Sequence, residues 1–113
     1  MKIKANASLL ALALGLTVSL LGLLAQDTRS VEGVVSGADN KAVVGAVVQL
    51  KDTKTLQIRS FITQQDGAYH FAGLSTNVDY EIKADHEGAS SGTKTLSVFD
   101  NRKVATINLK LNK

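Results

Sequence analysis

The densest group of side chains able to hold a metal or move a proton is Asp85-His86-Glu87. Hard divalent cations take several converging oxygens, and zinc takes three or four His, Cys or carboxylate ligands. In an extended strand the two carboxylates share a face while His86 points away, because side chains alternate across a sheet. That arrangement does not converge on one ion, so the segment reads as a solvated strand end entering a loop at Gly88. The other histidine, His70, lies between Tyr69 and Phe71, and the alternation that buries both rings turns its imidazole to solvent. No serine, threonine or lysine forms a nucleophile motif with either histidine. The sequence therefore assigns no catalytic, cofactor-binding or metal-ligating residue, and the chain is expected not to be an enzyme.

The elements that position these residues are short strands. Val31, Gly33 and Val35 share one face of a first strand, and Ser36-Gly37-Ala38-Asp39-Asn40 supplies turn chemistry. From Lys41 to Lys51, Ala46, Val48 and Leu50 are expected to face inward. Gly45 permits close backbone contact or a bulge. Asp52-Thr53-Lys54-Thr55 is a connection, and Gln57 to Thr63 is a third strand of mixed polarity. Asp66-Gly67 predicts a hairpin, because both residues tolerate left-handed dihedrals, and its register directs Tyr69 and Phe71 to one face. A fifth strand carries Tyr80, Ile82 and Ala84, and Glu87 to Gly92 reads as loop. Leu96 and Val98 mark a sixth strand. Asp100-Asn101-Arg102-Lys103 turns the chain into a last strand, Val104 to Leu111, with Ala105, Ile107, Leu109 and Leu111 on one face. About seven strands with no helical period after Ala25 predict an all-β, antiparallel sandwich.

Met1-Lys2-Ile3-Lys4 is basic, and no ionisable side chain follows until Asp27. The apolar run between them ends at Ala25, the three-part plan of a secretory signal. The expected domains are thus a signal peptide, residues 1–25, and one β-domain, residues 26–113, with Gln26 as mature N-terminus. The alternative is an uncleaved anchor over residues 5–25, long enough to span a bilayer but diluted by Gly15, Thr17, Ser19 and Gly22. Cleavage removes Lys2 and Lys4 from 13 basic residues set against 10 acidic ones, so the net charge falls from +3 to about +1. No basic cluster remains for nucleic acid. With no cysteine, the exported domain must rely on its core alone.

Gly33-x-Val35, then Gly45-Ala46-x-Val48-x-Leu50, then Thr63-x-x-Asp66-Gly67-x-Tyr69-x-Phe71-x-Gly73-Leu74, then Tyr80-x-Ile82-x-Ala84 resembles the carboxypeptidase regulatory-like domain. The likeness covers nearly all of residues 26–113. It departs at Val43-Val44, where many relatives carry proline. The resemblance implies a seven-stranded, transthyretin-like or prealbumin-like Greek-key β-sandwich, generally not catalytic. Collagen-adhesin B-type domains, related in fold, cross-link a lysine on the first strand to an asparagine or aspartate on the last. Here Asn108 lies on the last strand, but VEGVVS has no lysine, so no such bond is expected. Prealbumin-like sandwiches also overlap with sugar-binding modules, which need displayed aromatic rings. There is no Trp, Tyr69, Phe71 and Tyr80 are assigned to the core, and Phe61 and Phe99 are expected to pack in the core or at an edge.

The expected protein is a bacterial, secreted or periplasmic, non-catalytic module with a structural or protein-interaction role. Its partner would be an envelope or extracellular protein met by loops at one end of the sandwich or by an exposed sheet edge. The alternatives are a carbohydrate-binding module and, further off, a transthyretin-like hydrolase.

Overall fold

The computed structural model describes residues 27–113. The expected signal or anchor and the expected mature end at Gln26 lie outside the described residues. Nine strands follow in order: β1 (Thr28–Ser36), β2 (Val47–Asp52), β3 (Ile58–Ile62), β4 (Ala68–Ser75), β5 (Tyr80–His86), β6 (Ala89–Ser90), β7 (Lys94–Leu96), β8 (Val104–Thr106) and β9 (Leu109–Lys110). One sheet runs β4-β1-β8 with β9 also on β1, and the other runs β3-β2-β5-β6 with β7 also on β5. β6 and β7 share one side of β5, and β8 and β9 share one side of β1, so the nine strands fill the seven lanes expected. β4 returns to lie beside β1 and β5 beside β2, as a Greek key requires.

The alternation places the core. Ala46, Val48 and Leu50, Tyr69 and Phe71, and Tyr80, Ile82 and Ala84 are all buried between the sheets with Val31, Val35, Leu96, Ala105, Leu109 and Leu111. Two departures from simple alternation complete it. The β1–β4 register slips between Arg29 and Val31, where Ala72 and Gly73 oppose one residue and Gly73 takes φ 69°. This bulge lets Leu74 rejoin Phe71 on the inner face three positions on. At Gly33 a Cβ would sit 1.9 Å from the Ile107 carbonyl oxygen, so only glycine lets the last strand cross that closely. The Tyr69 hydroxyl donates to the same oxygen, and burial pushes its phenol pKa upward.

Five expectations change. The sheet is not wholly antiparallel, because the loop after Leu96 crosses to the other layer and starts β8 at the end where β1 begins, so β8 and β9 run parallel to β1. Asp66-Gly67 makes a tight turn, with Gly67 N donating to Gln64 O at 2.8 Å, yet β3 and β4 do not pair. Gly67 O accepts from Val35 N at 2.9 Å, which draws the chain off β3 and onto β1, so this turn changes sheets. The Glu87–Gly92 loop is instead a hairpin, since Glu87 (φ 47°) and Gly88 (φ 79°) both take the left-handed dihedrals of a two-residue turn and pair His86 with Ala89. The single last strand is broken at Ile107-Asn108, where the Asn108 side-chain oxygen accepts from Val34 N at 3.0 Å in place of the main chain. Val98 also falls outside any strand, beyond the end of β7.

Candidate functional site

At one end of the sandwich the chain between β7 and β8 forms a loop whose stiffness begins in the core. Arg29 is 3% exposed, a burial uncommon for a charged side chain. Its guanidinium donates to four carbonyl oxygens: Ser75 at 3.1 Å, Val78 at 2.7 Å, Ser97 at 2.7 Å and Asp100 at 3.0 Å. One buried cation thus ties the end of β4, the β4–β5 turn and the 97–100 loop together. Val98 N donates to the Asp79 carboxylate at 2.7 Å, and Asp100 N closes the turn onto Ser97 O at 3.1 Å. Asp100 in turn takes a two-pronged contact from Arg102, at 2.9 and 2.6 Å. That side-chain hydrogen bonding, with a backbone bond from the same residue, holds the Asp100 pKa down to about 2.

This fixed loop displays Phe99, 93% exposed, beside Val98, which is exposed as well. The expectation that Phe99 packs is overturned: Asp79 and Arg29 pin the backbone on both sides of it, and the ring stands in solvent. The alternation ending at Leu96 and the turn residues Ser97, Asp100 and Asn101 were the available signal in the sequence. Phe61 does pack, edge-on against Phe71 with centroids 6.1 Å apart.

A second exposed feature is the β3 edge. β3 pairs only with β2, and Ile58 and Ile62 are 55% and 62% exposed. Arg59 folds inward from this strand, over the Phe71 ring at 5.9 Å and onto Ala72 O at 3.2 Å. The opposite flank of the sandwich is joined: Ser91 bridges Leu111, and Asn112 N reaches Ser90 O at 3.0 Å.

The titratable group at the end of β5 is pulled apart rather than gathered. Asp85 accepts from the Ser90 hydroxyl at 2.5 Å, while Glu87 sits in the turn with its carboxylate 3.7 Å from His86. Glu87 is therefore not extended, and the pairing of its face with that of Asp85 does not arise. His70 is exposed opposite Glu32, on the outer face of the other sheet. Among the described residues no three His, Asp or Glu side chains are grouped to hold a metal ion, and no helix there is long and apolar enough to cross a membrane.

The architecture is a two-sheet Greek-key β-sandwich. Residues 30–112 match the carboxypeptidase regulatory-like domain, and the chain belongs to that family. No curated protein matches the sequence. Among solved structures it is similar to the major pilin subunit of Bacillus cereus, at 15% identity and TM-score 0.61, covering 76% of this chain and 30% of that one. It is likewise similar to the C-terminal domain of a shaft pilin from Lactobacillus rhamnosus GG, at 10% identity and TM-score 0.52, covering 77% of this chain and 100% of that domain. A chlorocatechol 1,2-dioxygenase from Pseudomonas putida is also similar, at 10% identity and TM-score 0.57, covering 78% and 62%. At these identities the likeness is one of fold, shared by pilins and dioxygenases alike.

Proposed function

We propose that the chain is an exported, non-catalytic β-sandwich module that works by protein contact in or beyond the bacterial envelope. The observation that carries this reading is Phe99, held fully in solvent by a loop anchored on Arg29 and Asp79. A preorganised aromatic tip binds without the ordering cost a mobile loop would incur. The basic start, the apolar run and Ala25 support export, and N-terminal sequencing should find Gln26 first. Retention of residues 5–25 would make the protein membrane-anchored instead.

The test is capture from an envelope extract with the intact chain and with Phe99→Ala. One stoichiometric protein retained by the former and lost with the latter supports the proposal. Retention on a glycan array, lost with the same substitution, would make Phe99 a sugar platform and overturn it. Oxygen uptake with chlorocatechol, or ester and amide hydrolysis that titrates with His70 or His86, would overturn the non-catalytic reading.

A further inference from the structure

β3 lies at the edge of its sheet, with one side paired to β2 and the other open. The hydrogen bonds from Asp52 N to Gln57 O and from Thr63 N to Ala46 O fix which β3 residues bond to β2. By antiparallel alternation these are residues 57, 59, 61 and 63, so Ile58, Ser60 and Ile62 turn their N–H and C=O groups to the open edge. The strand reads Ile-Arg-Ser-Phe-Ile, nearly the same in both directions. It has no proline, no bulge and no lysine, the usual devices that keep an edge from pairing. Its one charge, Arg59, is folded inward onto Ala72 O and leaves the edge clear.

We propose that β3 pairs antiparallel with β3 of a second copy of this chain about a two-fold axis at Ser60, joining the two five-stranded sheets into one. This rests on the protein-contact reading above and names a partner for it. In that register Ser60 faces Ser60 and Ile58 faces Ile62, and every outward backbone group of the three residues finds its mate. The exposed isoleucines, which a lone domain leaves in water, cover each other on the outer face beside Val47. An extended segment of a different protein could use the edge's hydrogen bonds but not this two-fold matching.

The test exploits a chain without cysteine. Facing residues of a hydrogen-bonded antiparallel pair lie about 5.5 Å apart at Cα, within disulfide reach. In the full chain Ser60→Cys should therefore oxidise to a covalent dimer. Ile58→Cys alone should not, because its two copies lie four residues apart along the strands, whereas mixing Ile58→Cys with Ile62→Cys should restore cross-linking. By sedimentation, Ile62→Lys should weaken dimerisation by about tenfold or more, with an unchanged melting curve at a concentration where both chains are monomeric reporting an intact fold. Equal cross-linking of Ser60→Cys and Ile58→Cys, or a dimer indifferent to Ile62→Lys, would overturn the proposal. A chain that stays monomeric at all concentrations yet captures another protein through Phe99 overturns self-pairing and leaves the contact reading standing. Capture abolished by Ile62→Lys in a monomeric chain assigns the edge to a foreign strand, which also overturns it.

Discussion

Replacing Arg29 with methionine keeps the length and apolar stem of the side chain and removes its whole guanidinium. Four carbonyl oxygens then lose donors at 2.7–3.1 Å. A hydrogen bond from a charged donor contributes roughly 1.5–3 kcal/mol, and a buried acceptor left bare costs about 1–3 kcal/mol. The four bonds do not add, since they share one group and the acceptors at Ser75, Ser97 and Asp100 are near enough to the surface to take up water. Val78 O, whose bond is fully buried, is not. Relief of the buried charge's desolvation offsets part of the loss, and removing one member of a buried charged network typically costs about 3–5 kcal/mol. Whole domains are stable by only about 0.05–0.15 kcal/mol per residue, so this is a large fraction. At roughly 4–8 °C per kcal/mol for a domain of this size, the melting midpoint should fall by about 12 °C or more. Urea unfolding of wild type, Arg29→Met and Arg29→Lys measures it, with lysine intermediate because one ammonium cannot reach all four oxygens. A loss under about 1 kcal/mol at equal m-values would show that solvent replaces the guanidinium and that the clamp does not hold the loop.

Phe71→Ala should cost about 3–5 kcal/mol, whereas His70→Ala, exposed on the next position, should stay within about 0.5 kcal/mol in the same urea experiment. Gly33→Ala should destabilise more than any other glycine substitution among the described residues, because its methyl meets the Ile107 carbonyl at 1.9 Å; amide exchange should show the β1–β8 ladder opening first. The Asp100 carboxyl should titrate by NMR near 2 in wild type and return toward about 4 in Arg102→Ala. Since its folded-state pKa is depressed, its stabilising effect is complete above about pH 4 and disappears as the pH falls through about 2, so acid should loosen the Phe99 loop in that window.

Strand faces were legible because burial follows a period of two wherever a strand stays in one sheet: Ala46, Val48 and Leu50, or Tyr80, Ile82 and Ala84. The connections were not, since a turn signal records local dihedrals and not which sheet receives the chain. Asp66-Gly67 bends the backbone as its residues dictate, but the Gly67 carbonyl bonds to Val35, far back in sequence. Glu87-Gly88 makes a true hairpin although glutamate is an unusual occupant of a left-handed position. The exposed site was hidden for the same reason. Phe99 is apolar, so composition places it inside, whereas the distant partners Arg29 and Asp79, with local bonds to Ser97, set the loop that holds it out.

The parallel lane of β8 and β9 beside β1 has a mechanical meaning. β1 begins at Thr28 and β9 ends at Lys110, and both run the same way, so tension applied through Asp27 and Lys113 pulls neighbouring strands past each other lengthwise. All of their hydrogen bonds, with the Asn108 side chain spanning the break, then bear load together instead of peeling one at a time. Rupture under such shear needs many bonds to fail at once. Resistance to force is therefore set by the unfolding barrier along this one seam, not by the domain's equilibrium stability.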